Sequence, residues 1–156
     1  MGVAGSGKTT VGRALAARLG WAFEDADDYH DPSALATMAR GVGLTDADRA
    51  PWLARLAALV RQRADEGPPT VLACSALRSR YRAVLQGDRA EVSFVWLDVP
   101  PAVLAQRLAD RQGHVAGPDL LPSQLAAFEP PAGAVRLDGT RPVERLVDDA
   151  RQHLVP

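Results

Sequence analysis

The sequence predicts an α/β fold with a parallel sheet, and three observations predict it. Short apolar strand candidates alternate with helical patterns along all 156 residues, the order that builds strand–helix–strand units. A glycine-rich run, Gly2-Val3-Ala4-Gly5-Ser6-Gly7-Lys8-Thr9, passes straight into a helical pattern and fits G-x-x-x-x-G-K-[ST] at every fixed position. No repeat, low-complexity tract or long linker divides the chain, so one domain spanning residues 1–156 is expected.

The elements follow in order. Residues 9–19 read as a helix that stops near Gly20, and residues 21–24 as a short strand delivering Asp25-Ala26-Asp27-Asp28 to a loop. Thr45 and Asp48 have capping-box spacing, with Asp in the place of Glu, and open a helix through residue 66. Gly67-Pro68-Pro69 ends it, and residues 70–74 form a buried strand. Residues 78–85 are helical, 92–97 a strand, and 101–112 a helix with Pro101 in its first turn. After a loop at 113–118 come a short helix at 123–128, a last strand at 134–137 and a terminal helix at 143–153.

One element of this layout is missing. Such a loop normally follows a strand in the middle of the sheet, yet only Met1 precedes Gly2. Either the start was assigned too late or the chain is shortened, and the expectation is a gap in the core.

Composition narrows the function classes. Hydrophobic residues make up 47% and charged residues 24% of the chain, as in ordinary globular domains. No apolar run approaches the roughly 20 residues of a membrane span, and residues 1–10 are Gly-rich and polar, unlike a signal peptide. A net charge of −1 gives no ground for nucleic acid or a membrane surface as partner. Cys74, the single cysteine, cannot form an internal disulfide, which suits the cytoplasm, and its strand position reads as core. Of 18 basic residues, 17 are arginine and only Lys8 is lysine. In so Arg-rich a chain, the position that keeps lysine needs a compact ammonium that a planar guanidinium cannot replace.

That lysine lies in the motif. Glycines let Gly2–Thr9 wrap so that backbone N–H groups point inward at phosphates, and the helix from Thr9 and Thr10 adds its positive end. Lys8 is placed for the β- and γ-phosphates of ATP and the Thr9 hydroxyl for Mg²⁺. Asp25, Asp27 and Asp28 have two readings: a solvated acidic turn, or carboxylates across the loop that orient an attacking hydroxyl or hold Mg²⁺. Arg107 and Arg111 share a helix face that runs towards His114. They serve either to clamp a phosphoryl group under a lid at 107–122 or simply to complement the helix C-terminus. Trp52 reads as packing before sugar platform.

Six blocks in order, GVAGSGKTTVG, FEDADDYH, LTDADRAPWL, CSALRSRYR, RQGH and LLPSQLAAFEPP, resemble the gluconokinases among P-loop small-molecule kinases. The first is common to many NTPases, whereas LTDADRAPWL and CSALRSRYR look like signatures of this family. The resemblance implies a doubly wound parallel sheet with helices on both faces, ATP and Mg²⁺, and phosphorylation of gluconate at its 6-hydroxyl by a cytoplasmic homodimer. Carried over by position, Lys8, Asp27 and Arg111 are catalytic, while Gly2 to Thr10 bind the nucleotide and Thr9 the metal. On the residues alone, Arg107 joins the nucleotide site and Asp25 the metal site. Asp27, His30, Arg49, Ser75, Arg78, Tyr81, Arg82 and His114 contact the substrate, whose carboxylate suits guanidinium partners and whose hydroxyls suit Asp, Ser and Tyr.

The chain departs from the family at Ala26, where Gly is usual, and at Ala34 and Thr37, where Asn and Lys are expected. Two other readings stay open: a kinase of another hydroxyl substrate, shikimate-like or nucleoside, and a nucleotide-binding protein without turnover.

Overall fold

The computed structural model describes residues 1–110 and 118–154. Helix α1 (Lys8–Leu19) begins where Gly7 takes a left-handed φ of 94°. It ends at Gly20, φ 70°, whose N–H turns back to the Ala16 and Ala17 carbonyls. Strand β1 (Ala22–Asp25) runs into a 3₁₀ turn, Ala26–Tyr29, capped by the Asp25 carboxylate accepting from the Asp27 N–H. Helix α2 (Pro32–Ala39) has proline in its first turn. Helix α3 (Asp46–Glu66) starts on the expected capping box, with both reciprocal bonds between Thr45 and Asp48 formed. Then follow β2 (Thr70–Ala73), α4 (Ser79–Gln86), β3 (Val95–Asp98) and α5 (Pro101–Ala109). A 3₁₀ turn at Pro118–Leu120 leads to α6 (Leu121–Ala127), β4 (Val135–Asp138) and α7 (Val143–Leu154).

The structure corrects three boundaries. Residues 26–29 are helical rather than loop, because the Asp25 cap supplies an acceptor at the turn's start. The third strand starts at Val95 instead of 92, since Val92 is drawn into a turn by its N–H bond to the Arg89 carbonyl. Helix α5 closes at Asp110, whose N–H reaches the Gln106 carbonyl, and the rest of the expected helix lies outside the described residues.

All strand pairs are parallel. β1 pairs with β2, Ala22 opposite Thr70, and β3 pairs with β4, Val95 opposite Val135. Helices cover both faces, which is the doubly wound arrangement. On one side α1 and α7 meet over Val11, Leu15, Leu97, Leu137 and Leu146; on the other, α3 and α4 close over Trp52, Leu56, Cys74 and Leu85. Cys74 is core, as expected, and burial pushes its thiol up to about 11. Met38 of α2 is half-buried.

The expected gap lies between the two strand pairs. The Met1 amino group donates to the Val95 carbonyl and the Leu97 N–H donates to the Met1 carbonyl at 3.0 Å. One residue bonding on both sides of Trp96 is parallel-ladder geometry. On the opposite side the Gly2 N–H reaches the Ser75 carbonyl at 3.3 Å. Met1 and Gly2 thus join β2 to β3, and no strand lies ahead of them among the described residues. A cavity of about 500 Å³ occupies the slot, lined by Met1, Leu59, Val71, Leu72 and Val95 among others. Three of the four β2 residues are only partly buried as a result.

The amino group of Met1 sits enclosed in this slot, and burial, then the charge of Lys8, lowers it from 8.0 to about 5. In the unfolded chain it takes up a proton below about 8, but in the folded chain only below about 5. Stability of a chain starting at Met1 therefore falls as pH drops from 8 towards 5. Extending that chain ahead of Met1 by five apolar residues fills the slot and turns the amine into an amide. Thermal unfolding of both chains should show the melting temperature raised by roughly 5–10 °C and its slope between pH 5 and 8 flattened. Equal melting curves would mean that the slot does not limit stability.

Candidate active site

The loop before α1 is shaped by three glycines with positive φ, Gly2 at 148°, Gly5 at 81° and Gly7 at 94°. A Cβ on Gly2 would stand 2.8 Å from Ser6 Oγ and 3.0 Å from the Leu97 carbonyl, so this position has neither the torsion nor the space for a side chain. Lys8 Nζ bonds back to the Val3 carbonyl at 3.0 Å, which holds the ammonium across the mouth of the loop. Ser6 Oγ is buried with no hydrogen-bond partner in the protein and packs against Gly2 at the base of the loop. Thr10, on the next turn, is exposed.

Asp25 links this loop to the acidic block. One carboxylate oxygen accepts from Thr9 Oγ1 at 2.8 Å and the other from the Asp27 N–H at 3.1 Å. A hydroxyl and a carboxylate side by side at a phosphate cradle are the hard oxygen donors that Mg²⁺ takes, together with nucleotide phosphates. Asp27 and Asp28 project exposed from the turn, while Ala26 is buried and accepts from Trp52 Nε1 at 2.7 Å. Ala76 is the only described non-glycine residue with positive φ, so position 26 does not demand glycine and the departure there costs no strain.

A second cluster faces the same turn. His30 stacks on Trp52 with ring centroids 4.6 Å apart, and His30 Nδ1 is buried without a partner. Burial holds the imidazole below its usual value, against the pull of Asp27, so it is neutral at pH 7. Trp52 is therefore packing, as expected, but packing that fixes His30. Arg49 donates to the Tyr81 hydroxyl at 3.4 Å, and Asp46 accepts from Tyr81 and Arg80 and pairs with Arg78 at 4.0 Å. The Tyr81 hydrogen bond, followed by the nearby arginines, holds the Asp46 carboxyl below the ordinary range. Arg82 is buried and gives Nη1 to the Ala76 and Leu77 carbonyls at 2.9 and 3.2 Å, bracing the left-handed Ala76. Ser75 follows β2, half-buried, beside Gly2.

Arg107 reaches the loop from α5, with Nη1 on the Gly5 carbonyl at 3.4 Å and Nη2 on the Gly139 carbonyl at 2.9 Å. Arg111 and His114 lie outside the described residues. Two residues at the site carry no signal in the sequence reading. Asp46 lies inside the block LTDADRAPWL but passes for an ordinary first-turn acid. Gln124 of α6 accepts from the Ala4 N–H at 2.7 Å, and only the block LLPSQLAAFEPP hinted that this helix matters.

A glycine-built phosphate loop at the carboxyl ends of parallel strands, a lysine across it and a Thr–Asp pair beside it define a P-loop kinase. Residues 1–131 match the protein family described as an AAA domain. The gluconokinase of Gluconobacter oxydans (strain 621H) is 43% identical over 156 residues, covering 98% of this chain and 88% of that protein. The thermosensitive gluconokinase of Escherichia coli (strain K12) is 35% identical over 97% of this chain and 83% of its own length. The crystal structure of a gluconokinase from Sinorhizobium meliloti 1021 superposes with a TM-score of 0.84 at 38% identity, covering 99% of this chain and 88% of that one. An unliganded sugar kinase from Janibacter sp. HTCC2649 gives a TM-score of 0.91 at 43% identity, covering 100% and 93%. The chain belongs to the gluconokinase family. Its fold extends to the APS kinase of Mycobacterium tuberculosis, at 22% identity and a TM-score of 0.70.

Lys8→Ala should abolish phosphotransfer with the fold intact, because this is the only lysine in the chain and developing γ-phosphoryl charge would lose its fixed cation. Lys8→Arg should also be impaired, the wider guanidinium meeting the loop at Val3. Circular dichroism and ADP release, measured together, check both; near-native turnover in Lys8→Ala would remove the loop from the chemistry.

Proposed function

We propose that the chain transfers the γ-phosphoryl group of ATP to the 6-hydroxyl of gluconate, giving 6-phosphogluconate and ADP. The observation that carries this reading is the Thr9–Asp25 hydrogen bond, at 2.8 Å. It joins the phosphate loop to the turn bearing Asp27 and His30, so a phosphate held by the one and a hydroxyl held by the other meet. The family relationship supports gluconate as the acceptor.

In this reading the loop amides of Gly2 to Lys8 and the α1 N-terminus bind the phosphates, with Arg107 steadying the loop. Mg²⁺, held by Thr9 with help from Asp25, would supply charge neutralisation between the phosphates. Asp27 orients the 6-hydroxyl and takes its proton as oxygen attacks phosphorus, and the bond to the bridging oxygen of ADP breaks. Lys8 and Arg111 balance the charge that moves onto the leaving phosphate. His30, Arg49, Ser75, Arg78, Tyr81, Arg82 and His114 form the acceptor site, guanidinium groups taking the carboxylate and the polar tips taking hydroxyls. The working protein is a cytoplasmic homodimer of one-domain chains, residues 1–156, each with a lid at 107–122.

Assay of ATP turnover against gluconate, shikimate, nucleosides and other sugar acids tests the reading. Turnover with gluconate alone supports it. ATP binding without ADP release under any acceptor would overturn it. Asp27→Asn should lower kcat by roughly 10²–10⁴-fold while ATP affinity changes little. An unchanged kcat would move the role to Asp25.

A further inference from the structure

The phosphate loop is held at one amide by a side chain from the far end of the chain. Gln124 accepts from the Ala4 N–H through Oε1 at 2.7 Å, across 120 residues of sequence. A backbone N–H accepts nothing, so the carboxamide can only present its oxygen there, and its NH₂ turns the other way. Ala4 is buried and Gln124 half-buried, which makes this a sheltered contact rather than a surface encounter. Ala4 stands next to Val3, whose carbonyl holds Lys8 Nζ at 3.0 Å. That carbonyl and the Ala4 N–H belong to one trans peptide and point opposite ways, so Gln124 braces the outer edge of the peptide unit whose other edge holds the cation.

We propose that Gln124 is a positioning residue of the phosphate site: it holds the loop through Ala4 from one peptide unit behind the Lys8 contact, close enough to the cation that a neutral amide is tolerated and a carboxylate is not. This rests on the kinase reading of the loop. The neutral group matters because its oxygen braces the loop without adding charge. A carboxylate would accept the same N–H more strongly, but it would set a negative charge against ATP.

Gln124→Glu separates this from a merely structural role, since it keeps shape and acceptor. ATP binding is measured by calorimetry on the full chain without acceptor, with melting temperature alongside. At pH 8 the expected result is an unchanged or raised melting temperature and ATP binding weaker by more than about tenfold. The loss should shrink as pH falls towards the carboxyl's own range. Gln124→Ala, lacking both charge and brace, should bind ATP within about threefold of the parent while its kcat falls at least as far. ATP binding by Gln124→Glu equal to the parent's, at every pH, would overturn the proposal, as would an unchanged kcat in Gln124→Ala. A parent chain that binds no ATP would overturn the kinase reading itself, a separate result.

Discussion

Two residues of backbone hold this fold together at its centre. Met1 bonds to β3 on one side and Gly2 to the end of β2 on the other, so the two strand pairs are joined by a single rung instead of a strand. The phosphate loop starts at that rung. Its geometry depends on Gly2, which passes where Ser6 and the Leu97 carbonyl leave no space for a Cβ. The position of Lys8, the direction of α1 and the reach of Thr9 towards Asp25 all descend from this crossing. Stability and site geometry therefore share one weak point, because whatever loosens Met1 between β2 and β3 also loosens the base of the loop.

The site itself is organised around carboxylates that are already engaged. Asp25 takes the Thr9 hydroxyl and the Asp27 amide; Asp46 takes Tyr81 and the arginines of the α4 segment. Each spends its charge ordering neighbours, which leaves Asp27 and Asp28 as the exposed carboxylates of the turn and His30 as a neutral ring with an uncommitted nitrogen. Such division between fixed and available groups is what a kinase needs, since positioning and charge carry most of phosphoryl transfer.

Much of this was legible in the sequence, for identifiable reasons. The loop was legible because its chemistry tolerates few residue types, and the start of α3 because a capping box is a local device whose partners are three residues apart. The slot beside Met1 is expected because a loop of this kind follows a central strand. What escaped is non-local. Gln124 is an ordinary glutamine in an ordinary helix until folding carries it to Ala4. Arg82 reads as a substrate arginine, and the sequence does not show that its Nη1 also braces the Ala76 and Leu77 carbonyls, a demand created by a left-handed residue that no pattern announces. The helical turn at Ala26–Tyr29 reads as a loop in the sequence because its cap depends on the Asp25 carboxylate folding back onto the Asp27 N–H.

The scarcity of amines has a practical side. The chain has one ε-amino group, on Lys8, and the Met1 amino group is enclosed between the strand pairs. An amine-directed reagent that respects the fold thus meets its single ε-amine inside the phosphate loop. Lysine labelling within these 156 residues reads one locus, and its extent becomes a direct gauge of how open that loop stands.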